Sequence, residues 1–188
     1  IFIDFNQGLY QQVLDKINNL SDEIESVTLE MMAMKSQQKL GNQTVIKQWL
    51  EENTELKSGT NNNLRLYWMD LENYYLEDYG TPEQLKISYQ DRINLSKSLG
   101  HYATSAETLI KLTYVYIQQQ QLDQAKNTLN ELKLFDLDWW QIDLLEALLE
   151  FNLNNQQMAK ELAIKAKQNA SESWSDKDEE NYQLILSN

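Results

Sequence analysis

The side chains that most often carry chemistry form no catalytic set in this chain of 188 residues. There is one histidine, His101, and no cysteine, so an intrachain histidine cage, a thiolate metal site and thiol catalysis are excluded together. His101 follows Gly100 in a stretch that reads as a turn, where a solvated or helix-capping imidazole is expected rather than a general base. No glycine-rich phosphate loop, His-Glu-x-x-His pair or Gly-x-Ser-x-Gly elbow occurs. The carboxylates Glu51 and Glu52, and Asp176 with Glu179 and Glu180, read as solvated helix faces and partners of helix N-terminal dipoles. The expectation is a protein that is not an enzyme and uses neither metal nor cofactor.

Aromatic residues are the other candidates for a site. Among Tyr67, Trp68, Tyr74, Tyr75 and Tyr79, helical spacing puts Trp68 and Tyr75 on a core face and leaves Tyr67 and Tyr74 off it, better suited to a surface role. Trp139 and Trp140 open a later helix, one ring under the preceding turn and the other stapling the helix start. The net charge of −13, from 29 acidic against 16 basic residues, repels phosphate backbones and anionic lipid, so no direct nucleic-acid binding is expected. No apolar run approaches the ~20 residues that cross a bilayer. The start, Ile1-Phe2-Ile3-Asp4-Phe5, is too short and acidic for a signal peptide and lacks an initiator methionine, which reads as a piece excised from a larger protein. A soluble domain in the cytoplasm, or the extracytoplasmic part of a membrane-anchored protein, fits equally.

The elements that position these residues are helical throughout: one proline and five glycines leave few breakers. Tyr10, Val13, Ile17, Leu20, Ile24, Val27, Met31 and Met34 step in alternating threes and fours, a heptad stripe that predicts one long helix over about 5–39. The stripe would either form a homodimeric coiled coil or lie on its own domain. A short helix at about 44–56, with Val45, Ile46, Trp49 and Leu50 on its apolar side, completes an N-terminal segment of 1–57, and 58–63 is a polar loop. Beyond it, Thr81-Pro82-Glu83-Gln84, Thr104-Ser105-Ala106-Glu107 and Asp138-Trp139-Trp140-Gln141 share a capping-box spacing and predict helix starts near 82, 105 and 139. Asn154-Asn155 and 171–175 supply two further breaks.

One internal period stands out. Ala125, Leu129 and Leu132 recur 34 residues later as Ala159, Ala163 and Ala166. The unit at 106–139 places Leu109, Leu112, Thr113 and Tyr116 on a first helix and Leu122, Ala125, Leu129 and Leu132 on the turn and second helix. This pattern resembles the tetratricopeptide (TPR) repeat, whose small residues on the second helix let paired helices approach closely. Two departures occur: Thr113 stands where a small residue is usual and Leu137 where a proline is. The next unit, from Trp140, matches on its second helix, while Asp143, Glu146 and Glu150 fall at apolar positions of its first. That helix must therefore be rotated or shifted, with Leu144, Ala147, Leu148 and Phe151 buried. Upstream, Trp68, Leu71 and Tyr75 precede Leu109, Leu112 and Tyr116 by 41 residues, so a helix at about 64–79 looks like the start of an elongated repeat. Its partner at 82–99 would bury Leu85, Tyr89, Ile93 and Leu99.

The resemblance implies an all-α fold: a short right-handed α-solenoid of antiparallel helix pairs over 64–188, closed by a polar-backed capping helix at 176–186. It also implies a concave groove lined by the first helix of each pair. Carried over, the groove residues are Glu107, Ile110, Tyr114, Ile117 and Gln118, with Leu66, Met69, Asn73, Leu76 and Glu77 from the elongated unit. Ile110 and Tyr114 replace the cationic clamp of the carboxylate-binding subclass. The expected function is a non-catalytic scaffold or adaptor gripping an apolar or amphipathic peptide or helix by buried anchors. The alternative is a peptide- or small-ligand-sensing domain of a transcriptional or signalling protein with coiled-coil dimerisation. In either case the groove could instead be filled by the chain's own first helix.

Overall fold

The computed structural model describes residues 1–20, 27–170 and 174–187, and over these it contains helices and no strand. The chain divides into two compact units, Ile1–Ser88 and Tyr89–Asn188. The division falls inside a helix, not at the polar loop near residue 60 where the composition shifts.

The N-terminal unit contains α1 (Phe2–Asn6), α2 (Tyr10–Asn18), α3 (Val27–Lys39), α4 (Gln43–Glu52), a 3-10 turn at Thr54–Ser58, α5 (Asn62–Tyr79) and the first turns of α6 (Pro82–Ser98). The expected continuous helix over 5–39 is therefore replaced by three. Gly8, at φ +75°, adopts a left-handed conformation that only glycine takes without strain, and it ends α1. At the end of α2 the Asn19 side-chain amide donates to the Asp15 carbonyl at 2.7 Å, a local bond that competes with helix continuation. α2 and α3 pack on each other.

The described stripe residues are covered within the unit to differing extents. Val13 is fully buried, Tyr10, Ile17, Leu20, Met31 and Met34 are half-buried, and Val27 is exposed; Ile24 lies outside the described residues. Heptad spacing records which face of a helix is apolar, not whether its axis is unbroken. A dimer seam along 5–39 has no continuous helix to carry it. In α4, Ile46, Trp49 and Leu50 are buried as expected, whereas Val45 is exposed.

The C-terminal unit begins with the rest of α6 and continues through α7 (Tyr102–Gln118), α8 (Leu122–Lys133), α9 (Trp140–Asn152), α10 (Gln156–Asn169) and α11 (Asp176–Leu186). α7 packs on α8 and α9, α9 on α8, α10 and α11, and α10 on α11. The residues of the 34-residue period form its core: Leu109, Leu112, Ala125, Leu129, Leu132, Ala159, Ala163 and Ala166 are all at most 2% exposed. Thr113 is also fully buried, and its hydroxyl is satisfied by the Leu109 carbonyl at 2.7 Å and the Thr128 hydroxyl at 2.9 Å. A polar residue is thus accommodated here because its buried hydroxyl is hydrogen-bonded.

α9 buries Leu144, Ala147 and Leu148 as expected, and is more fully enclosed than expected. Ile142, Leu144, Leu145, Ala147, Leu148 and Leu149 are buried because helices lie on several sides of it. Phe151 is only half-buried. The three misplaced acids are paired at the edge: Asp143 with Lys165 at 2.9 Å, Glu146 with Lys133 at 2.5 Å, and Glu150 with the Asn155 amide at 2.5 Å.

Helix starts follow local chemistry only in part. At α6 the Thr81 hydroxyl accepts from the Gln84 amide and the Gln84 side chain accepts from the Thr81 amide, as the spacing predicts. α7 instead begins at Tyr102, three residues before its predicted start. Gly100, at φ +72°, reverses the chain, and the His101 amide donates to the Ser96 carbonyl at 2.9 Å, so the helix starts at once. Ser105 is then free to meet Ser96, their hydroxyls 2.7 Å apart in the core. Asp138 likewise makes no cap, and α9 starts at Trp140.

Candidate functional site: an apolar cleft on the C-terminal unit

α7 and α9 lie side by side, and the first turn of α11 closes one end of the furrow between them. A cavity of about 210 Å³ is floored by Ile110, Tyr114, Leu144, Leu145 and Leu148 and walled by Trp140 and by Lys177 of α11. A second, shallower cavity of about 480 Å³ shares Ile110, Trp140 and Gln141 with the first and is edged by Glu107, Lys111, Asp138 and Trp139. Trp140, with Ile110 and Gln141, therefore borders both chambers of the cleft.

Helical spacing explains the alignment. Glu107, Ile110 and Tyr114 stand three and four residues apart, which puts them on one face of α7, and Gln141, Leu144, Leu145 and Leu148 do the same on α9. Three of the five groove positions carried over onto α7 thus meet in one place. Of the other two, Gln118 is exposed and lines neither chamber, and Ile117 is 4% exposed, packed into the core instead of open to a partner.

The end wall is held by aromatic and charged contacts centred on Trp174, which precedes α11. Trp174 lies against Trp140 with ring centroids 4.9 Å apart, and against Tyr182 at 6.1 Å in an edge-on arrangement. The Lys167 ammonium sits 4.6 Å from the Trp174 ring centre and pairs with Glu179, which also accepts from the Trp174 indole at 2.8 Å and the Gln183 amide at 2.9 Å. The Lys167 hydrogen bond, supported by those from Gln183 and Trp174, holds the Glu179 carboxyl down at about 2. A capping box between Ser175 and Asp178 starts α11. On the cleft side, the Lys177 ammonium lies 5.0 Å from the centre of the Tyr114 ring. The one sign of this wall in the sequence is a lone tryptophan between polar residues ahead of a helix.

In the N-terminal unit the carried-over groove residues Leu66, Met69 and Asn73 are buried, the last two at 4% and 3% exposure, while Glu77 is exposed and Leu76 half-buried. Neither amide atom of Asn73 has a hydrogen-bond partner among the described residues. These positions present no open groove. α5 is instead tied down by α3. The Tyr67 hydroxyl donates to the Met31 carbonyl at 2.8 Å, the Tyr74 hydroxyl to the Gln38 carbonyl at 2.9 Å, and Asp70 pairs with Lys35. Tyr67, expected off the core, is 6% exposed with Trp49 edge-on against it at 5.7 Å. Burial, with the Glu30 charge adding to it, raises the Tyr67 phenol well above its ordinary value.

Chemistry is sparse around these features. His101 is exposed at the start of α7 and lines neither chamber. Among the described residues no group of histidines and carboxylates is arranged to hold a metal ion, and no helix is long and apolar enough to cross a membrane. Comparison with protein-family models, with curated proteins and with solved structures finds no match to this chain.

Proposed function

We propose that the chain is a non-catalytic interaction scaffold that binds an apolar or amphipathic peptide or helix in the cleft between α7 and α9. The TPR-like reading places α7 with α8 and α9 with α10 as repeat pairs of a short right-handed solenoid, with α11 as the cap. The observation that carries the functional reading is the conjunction of Ile110, Tyr114 and Trp140, large and only half-buried, over a floor of three leucines. An open furrow of this composition leaves apolar surface in water unless a partner covers it, and side chains seated there would gain most of their binding energy by burial.

The test is a selection of random peptides displayed on phage against the chain, followed by binding of the winners to Ile110→Asp. The expected winners carry large apolar anchors and lose at least about tenfold in affinity on the substituted chain, since a buried unpaired charge costs well over 1.4 kcal/mol. Winners that bind both chains equally, or no enrichment at all, would sink the reading.

A further inference from the structure

We infer that the partner is cationic as well as apolar: a peptide or helix whose apolar anchors are flanked by lysine or arginine. This rests on the cleft being the binding site, and adds to it the sign of the charge the site prefers.

Two observations point the same way. The mouth carries Glu107 on α7 and Asp138 just before α9, both exposed, and Glu107 forms no ion pair with a described residue. Asp178 also lines the inner chamber, although its carboxylate is engaged by Ser175. These acids belong to a chain of charge −13, whose field favours an approaching cation and disfavours an anion. The cleft's own cations are Lys111 and Lys177.

Lys177 supplies the second argument. Its ammonium sits over the Tyr114 ring, so the inner chamber has an aromatic face placed to receive a cation beside an apolar floor. Lys177 projects from the exposed first turn of α11, and a partner's ammonium would compete with it for the same ring face. A ligand filling both chambers needs at least two apolar groups.

The experiment uses two synthetic amphipathic helices with the same leucine positions, one with lysine and the other with glutamate at every polar position. Each is titrated by fluorescence anisotropy into the full chain at low and at near-physiological salt. The lysine peptide should bind about tenfold or more tighter than the glutamate peptide, with the gap narrowing as salt rises. The double substitution Glu107→Lys with Asp138→Lys should shrink or invert the gap. Lys177→Gln should strengthen the lysine peptide about two- to fivefold, the range of an exposed cation-π contact.

Equal binding of the two peptides, or tighter binding of the glutamate peptide, overturns the cationic preference and leaves the cleft reading standing. Lysine-peptide binding that survives both Trp140→Ala and Ile110→Ser unchanged places it outside the cleft and overturns both. Failure of both peptides to bind overturns both as well. Ile110→Ser, at a half-buried position, keeps the test interpretable if Trp140→Ala unfolds.

Discussion

Glu179 shows how one side chain sets the geometry of the cleft's end wall. Its carboxylate gathers Lys167, the Trp174 indole and Gln183, and those bonds lower its pKa from the ordinary 4.5 to about 2. A carboxyl depressed by folding contributes stability above its unfolded pKa and loses it as pH falls through the folded value. The anchoring of α11 should therefore be intact above about pH 4.5 and weaken from there toward pH 2. Tryptophan fluorescence followed through acid titration should change in that window, because Trp174 and Trp140 sit at the wall. The Glu179→Gln chain should show no transition there, and an unchanged acid profile in that variant would remove Glu179 as the anchor. At the same scale, Thr113 shows that a polar residue in a repeat's small position is tolerated once its hydroxyl is satisfied.

Elements succeed or fail according to how much of their fate is local. The alanines Ala125, Ala159, Ala163 and Ala166 let the helices of the C-terminal unit come close, and all four are fully buried. Ala125→Leu should accordingly destabilise by about 1–3 kcal/mol through overpacking, read from a lower urea midpoint, while the exposed Asn127→Leu on the same helix should stay within about 0.5 kcal/mol of wild type. The capping boxes divide along the same line. Thr81 with Gln84 forms one at the start of α6, whereas Thr104 stands inside α7, two residues past its start at Tyr102, and has no helix end to cap. α9 was legible as a rotated or shifted helix because its acids had to face water or a cation. That Lys133, Lys165 and Asn155 would supply the partners was not, since they come from the neighbouring helices and the turn that follows.

Over the whole molecule, the N-terminal unit uses its heptad stripe as internal packing. Deleting residues 1–40 should remove the acceptors of Tyr67 and Tyr74 and the partner of Asp70, leaving a buried phenol unsatisfied. Hydrogen exchange should then show α5 amides losing their protection, with a drop in helical signal larger than the deleted helices account for; full protection of α5 in the shortened chain would contradict this. The sequence by itself determined the all-helical class, the core register of the C-terminal unit and the gathering of Glu107, Ile110 and Tyr114 on one face. All of these follow from composition and from periodicity along a single helix. Only the tertiary structure decided that the predicted long helix breaks at Gly8 and beyond Asn18, that Met69 and Asn73 are buried, and that Trp174 and Lys177 wall the cleft. Those outcomes depend on which distant segment reaches a given face first, and spacing along one helix carries no record of that competition.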